Sequence, residues 1–345
     1  MSVVKNWDIL SPNYLPDILP HRESQTQEIA NNLSPASKGR KPQNTFIFGA
    51  PGIGKTASVN YVFREFEEYS GIKTIYINCW DFNTPTGVLT EIVNRLGLLG
   101  TIVQRRGWAK DEIMQRFNEA MNKIGKAVIV CLDEVDQLVY KDQSVLYDLL
   151  RMNAKNPLGL VFISNDAHVF AKLEPRILSS LNVEEIEFKP YTIEEMKDIL
   201  QERARNGLRS FENGVVMLAA NHAVQKGGDV RVGIQTLMKA ATVAEEEGTD
   251  KLKVEHVKQV LSSVGKAKPE ILKEKINDTE KIIMQLFDEN KQMKSTELYD
   301  SYRSMVKEPI SDRAFRDCIS HLEQLKLIHI NKKTVDGNTR IISKA

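Results

Sequence analysis

Between residues 46 and 188 the chain alternates short apolar runs with longer stretches that carry an apolar residue every three or four positions. The runs at 46–48, 73–79, 128–132, 160–163 and 183–188 predict buried strands. The stretches at 57–67, 86–96 and 110–124 predict helices, the second with Val88, Leu89, Ile92, Val93 and Leu96 on one face. A further helix is predicted at about 22–33, after a proline-braked segment, and 34–43 reads as a surface loop. Strands alternating with helices predict an α/β fold with a parallel, doubly wound sheet. From Pro190 the strands stop. Residues 194–205, 212–225, 230–247 and 254–264 each carry an apolar stripe, which predicts a small helical domain. Residues 265–275 are a charged linker or the start of a connecting helix. Helices are then predicted at 278–289, from Ser295 to about 307, and at 312–325 behind Ser311, with Ser295 and Ser311 as caps. Alternating runs at 327–335 and 338–343 flank Asp336-Gly337, a hairpin turn signal.

The first predicted strand leads into Gly49-Ala50-Pro51-Gly52-Ile53-Gly54-Lys55-Thr56, which fits G-x-x-x-x-G-K-[ST]. Glycines let backbone N–H groups wrap close to phosphate oxygens, and the following helix adds its positive end. Lys55 then reaches the β- and γ-phosphates, and the Thr56 hydroxyl holds Mg²⁺. Gly52, Ile53 and Gly54 form the cradle. A Gly-Pro loop matching by chance is the bland alternative; the strand–loop–helix context favours nucleotide binding. Ile18 and Leu19, just upstream, either wall an adenine pocket or pack as an N-terminal arm.

The strand at 128–132 ends in Asp133-Glu134-Val135-Asp136. Carboxylates at the carboxyl end of a parallel strand lie beside a phosphate loop. There Asp133 is expected to hold Mg²⁺ through water, and Glu134 to orient and deprotonate the attacking water. Asn165, at the tip of the next strand, could hold that water or the γ-phosphate; otherwise it is a strand-to-turn residue.

Three helices and a terminal hairpin describe a winged helix, a module that puts its third helix in the DNA major groove. Arg313 and Arg316 lie on the polar face of that helix, and Lys332, Lys333 and Arg340 decorate the wing. A protein-binding winged helix with ordinary surface charge is the alternative. Formal net charge is +1, so DNA binding must come from local patches. Arg105-Arg106-Gly107-Trp108 is either one such patch or a solvated turn. The three cysteines show no metal spacing, and neither a leader nor a membrane span is evident, so a cytoplasmic, nucleoid-associated protein is expected.

Taken together, the segment Leu19-Pro20-His21-Arg22-Glu23, the phosphate loop, Ile77-Asn78-Cys79, Leu132-Asp133-Glu134, Pro175-Arg176, Pro190-Tyr191 and Gly228-Asp229-Val230-Arg231 resemble the archaeal replication initiators of the origin-recognition AAA+ family. That group unites origin recognition complex subunits with the cell-division-control helicase loader. The resemblance implies an AAA+ core over 1–189, a lid over 190–265, a linker over 266–275 and a winged helix over 276–345. It implies that Asn165 senses the γ-phosphate and that Arg231 is a second sensor on the lid. Tyr191 and Arg203 would close over the nucleotide, and Arg176 would act as an arginine finger on a neighbouring subunit's ATP. The implied cofactors are ATP or ADP with Mg²⁺. The implied partners are double-stranded origin DNA, paralogous initiator subunits and the replicative helicase, with no membrane. The family's helical insertion coincides with 84–108 and touches DNA, which adds weight to Arg105 and Arg106. The chain departs from the pattern at Ile53, where Thr is common, at Val230 and Val232 beside the lid arginine, and in its short wing. Slow hydrolysis acting as a switch is expected, secondary to DNA binding. A clamp-loader-like remodelling ATPase and a nucleotide-gated regulatory paralogue share these motifs.

Overall fold

The strand that carries the phosphate loop, β1 (Asn44–Gly49), lies inside a five-stranded parallel sheet of order β2-β3-β4-β1-β5. Its companions are β2 (Lys73–Asn78), β3 (Val128–Asp133), β4 (Leu158–Ser164) and β5 (Val183–Phe188). The computed structural model describes residues 2–104, 107–152, 154–264, 277–289, 292–306, 309–324, 327–334 and 338–344. Side chains along a strand alternate between faces. Phe46, Val130 and Leu132 therefore join one apolar layer, and Ile47, Ile129 and Cys131 the other. A sheet buried on both faces needs near-continuous apolar strands, which is what the runs supply.

Helices α1 (Glu23–Leu33) and α2 (Lys55–Ser70) cover one face, α3 (Pro85–Leu96) and α4 (Lys110–Ile124) the other. Thr84 caps α3 by accepting the Gly87 N–H at 3.1 Å, with Pro85 behind it. Two short helices, α5 (Asp136–Lys141) and α6 (Ser144–Leu150), lie in a stretch for which the apolar pattern predicts nothing. Neither spans two turns, too short for a helical period to register. Another departure is at 34–43, where a 3-10 helix, Ser34–Lys38, buries Ala36. Helix α7 (Pro175–Leu181) precedes β5.

Beyond Pro190 come α8 (Ile193–Gly207), α9 (Asn213–Gln225), α10 (Val230–Glu246) and α11 (Val254–Leu261). Thr192 and Glu195 cap α8 reciprocally: Thr192 Oγ1 accepts the Glu195 N–H, and Glu195 Oε2 accepts the Thr192 N–H at 2.7 Å. The apolar layer of α1 and α2 runs without a break through Ile199, Leu200 and Val216 of these helices, and takes in Val3, Val4 and Leu10 of the N-terminal arm. Residues Met1–Gly265 accordingly form one compact unit.

The second unit, Lys266–Ala345, contains α12 (Asp278–Glu289), α13 (Ser295–Met305) and α14 (Asp312–Gln324). A three-stranded antiparallel sheet orders β6 (Gln292–Lys294), β8 (Asn338–Lys344) and β7 (Ile328–Thr334). Phe287, Leu298, Tyr302, Phe315 and Leu322 fill its core. The short β6 is an addition to the expected helices and hairpin. Ser311 caps α14 through the Ala314 N–H, whereas α13 begins at Ser295 itself and its cap is Lys294, whose N–H donates to Glu297. The linker at 265–275 and the Asp336-Gly337 turn lie outside the described residues. Among the described residues, no helix is long and apolar enough to cross a membrane.

Candidate active site

All five strands run parallel, so their carboxyl ends share one edge, and the chemistry-bearing residues gather there. The turn after β1 needs glycine. Gly52 and Gly54 hold φ of 72° and 95°. At Gly49 a Cβ would sit 2.2 Å from the Phe188 carbonyl oxygen, so no larger residue fits beside β5. Lys55 opens α2 and folds back over the loop. Its Nζ donates to the Gly49 and Ala50 carbonyls and to Asn165 Oδ1, each at 2.8 Å. Burial pulls the Lys55 ammonium down to about 8, with Asp133 and Glu134 opposing.

Thr56 Oγ1 donates to Asp133 Oδ2 at 2.6 Å, and the Tyr76 hydroxyl donates to the same oxygen at 2.8 Å. Glu134 follows with φ of 54°, its N–H tied to Asp133 Oδ1 at 2.8 Å. Burial raises the Glu134 carboxyl, and the neighbouring Asp133 and Asp136 raise it further. Asn165 Nδ2 donates to both Glu134 oxygens, at 3.3 and 3.2 Å. The strand order explains this. Because β4 lies between β1 and β3, the residue after β4 reaches Lys55 on one side and Glu134 on the other.

Above this edge is a cavity of about 370 Å³. Gly52, Gly54, Lys55, Thr56, Asp133, Glu134 and Asn165 line its floor; Leu19 and residues 12–16 line one wall; Tyr191, Arg203 and Arg231 line another. Leu19 thus faces the cavity, but the pairing with Ile18 needs correcting. Ile18 is 65% exposed and does not line the cavity, because neighbouring residues of an extended segment point opposite ways. Ile53 is expected in the cradle through its backbone, and its side chain does not line the cavity. Its side chain is fully buried beneath the loop, and its carbonyl accepts from Arg22.

Arg203, Tyr191 and Arg231 also make contacts of their own. Arg203 donates to the carbonyls of Ile9 and Tyr14, at 3.0 and 2.8 Å, and stacks on the Tyr14 ring. It fastens the arm that walls the cavity. Tyr191 packs its ring against the Arg22 guanidinium, 3.7 Å from the centroid. Arg231 pairs with Asp229 at 2.8 Å. Arg176 is exposed at the start of α7, away from the cavity, paired with Glu174 and stacked on Tyr147.

Three site residues escape sequence reasoning. Arg22 is 4% exposed, and its guanidinium donates to the Ile53, Lys189 and His21 carbonyls. An arginine beside a helix start reads as surface, and only its place in the Leu-Pro-His-Arg-Glu segment hinted otherwise. Tyr76, which donates to Asp133 from β2, is another, and Asp229, quoted above only as part of Gly228-Asp229-Val230-Arg231, lies against Gly52. In the second unit Arg313 is exposed, and Arg316 is paired with Asp312 one turn before it. Backbone register pairs Lys332 with Arg340 and Lys333 with Thr339. Arg105 and Arg106 lie outside the described residues.

A profile described as an AAA domain matches residues 39–169, and one described as a Cdc6 AAA+ ATPase-type lid domain matches 197–262. The chain is 36% identical to ORC1-type DNA replication protein 1 of Archaeoglobus fulgidus, over 98% of this chain and 87% of that protein. It is 33% identical to an ORC1-type DNA replication protein of Pyrococcus abyssi, over 99% of this chain and 84% of that one. Among solved structures, the Aeropyrum pernix ORC1 protein in complex with DNA superposes with a TM-score of 0.88 at 29% identity, covering 100% of this chain and 94% of that one.

Proposed function

Because the chain belongs to the family of ORC1-type DNA replication proteins, we propose that it is an origin-binding AAA+ replication initiator switched by ATP. The observation that carries this is the convergence of Lys55, Thr56, Asp133, Glu134 and Asn165 at one sheet edge, under a lid bearing Arg231, in a chain similar along its whole length to such proteins.

ATP is the substrate. Lys55 meets its phosphates in exchange for the loop carbonyls it now holds. The Thr56 hydroxyl and the Asp133 carboxylate are hard oxygen donors 2.6 Å apart and would hold Mg²⁺, Asp133 through water. When bound, the ion supplies neutralisation of charge on the transferring phosphoryl group. Glu134 is the general base, held toward the cavity by Asn165. A raised carboxyl is a stronger base once ionised, which suits it to take a proton from water. Arg22, packed on the Tyr191 ring, holds the loop through the Ile53 carbonyl, Arg203 holds the arm, and Arg231 senses phosphate from the lid. The exposed Arg176 serves a neighbouring subunit's ATP, so full turnover requires a paralogous assembly on DNA.

The second unit is a winged helix that docks α14 in the major groove, with Arg313 and the β7–β8 basic residues against phosphates. Hydrolysis is slow and resets an origin-bound state from which the replicative helicase is loaded. Genome-wide chromatin immunoprecipitation in the native host tests the initiator reading. A few sharp peaks at early-replicating loci are expected; promoter peaks with no replication signal would overturn it in favour of a regulatory paralogue.

A further inference from the structure

The loop at the start of α10 crosses directly over the phosphate loop. The Val230 N–H donates to the Gly52 carbonyl at 3.0 Å. A Cβ on Gly52 would fall 1.9 Å from Asp229 Oδ1, so the Asp229 carboxylate lies flat against the loop that cradles phosphates. A carboxylate there is electrostatically costly for an anionic ligand. Its ion-pair partner is Arg231. Arg231 donates its N–H and Nε–H to Asp229 Oδ1, at 2.9 and 3.0 Å, and its Nη2 to Oδ2 at 2.8 Å. The same guanidinium lines one cavity with Lys55 and Glu134.

We propose that Asp229 is a specificity-determining residue: it competes with phosphate for Arg231, and that competition sets how strongly the protein prefers a triphosphate over a diphosphate. The inference rests on the reading of Arg231 as a phosphate sensor. A guanidinium held by two carboxylate oxygens gives up charge-assisted bonds when it turns to a ligand. A diphosphate, which extends less far toward Asn165 and Glu134, offers less in return. Asp229 thereby raises the threshold for engaging the lid arginine. Its like charge also weakens nucleotides of either length, so removing it should tighten both alike, and the release of Arg231 adds a gain for the longer ligand.

The test is calorimetric titration of the full-length protein with ADP and with a non-hydrolysable ATP analogue, across a double-mutant cycle. Asp229→Asn keeps the shape and the helix cap; Asp229→Ser keeps the cap alone and serves if the first variant folds poorly. Either should widen the preference for the analogue by roughly threefold or more, as one charge-assisted contact is weakened. In an Arg231→Gln background, Asp229→Asn should shift both ligands alike and leave the preference unchanged. If Arg231→Gln weakens the analogue while Asp229→Asn leaves the preference unaltered, the inference falls and the sensor reading stands. If Arg231→Gln leaves analogue affinity untouched, the sensor reading fails and takes the inference with it.

Discussion

Lys55 is the residue whose surroundings have the most direct consequence in solution. Burial draws its ammonium down to about 8 in the folded chain, against an ordinary lysine near ~10.4. The unfolded chain therefore binds more protons than the folded one between those values. The cost of burying the cation is fully present below pH 8 and fades as pH rises through that window. Phosphate favours the charged form, so nucleotide binding above pH 8 should take up a proton and weaken as pH increases. Calorimetry just above that value, in two buffers of different ionisation enthalpy, reads this uptake, and Lys55→Arg should abolish it. Glu134 gives a second test. Glu134→Gln should retain nucleotide binding while turnover drops by about a hundredfold or more. Asp136 helps hold the Glu134 carboxyl up. Asp136→Asn should therefore move the acid limb of the kcat profile to lower pH, and an unmoved limb would assign that limb to another group.

At the scale of elements, the segment before α1 matters more than its composition suggests. Arg22 joins the phosphate loop at Ile53 to the end of the core at Lys189 and packs on Phe188 and Tyr191. Arg22→Met keeps much of the volume but leaves those carbonyls without their donor. We expect a loss of about 2–4 kcal/mol in denaturant unfolding, with faster amide exchange centred on residues 49–56. Global exchange with no focus on the loop would show that Arg22 stabilises the core but does not shape the loop. In the sequence only the Leu19-Pro20-His21-Arg22-Glu23 segment hints at this. The apolar period located β1 through β5 and α8 through α10 within a few residues, because each is a local pattern. Helices α5 and α6 went unread because each is about two turns or less. Ile18 and Leu19 could not be told apart, because the facing of an irregular segment depends on what it packs against.

For the molecule as a whole, the reading joins an ATP site in one unit to DNA contacts in the other. Formal net charge is +1, so attraction to DNA depends on a few placed cations. Arg313 is exposed, whereas Arg316 already has Asp312 as partner. Arg313→Gln should weaken binding to origin duplex and lower the slope of log K against log salt by about one. Arg316→Gln should lower it by less. Equal slopes for both variants would mean the Asp312 pair opens on DNA.

What the amino-acid sequence determined by itself is whatever neighbours along the chain can specify. Glycines at 49, 52 and 54 permit a loop that L side chains resist. A lysine and a threonine follow at fixed offsets, apolar strands end in Asp133-Glu134 and in Asn165, and α14 has one polar face. The tertiary structure decided which of these meet. The order β2-β3-β4-β1-β5 puts Asn165 between Lys55 and Glu134, although 110 and 31 residues separate it from them. The seating of Arg22 beneath the loop and of Asp229 above it was settled in the same way. Strand order and the closure of a lid are set by how whole apolar faces pack, a sum over many distant residues that no single window of sequence contains.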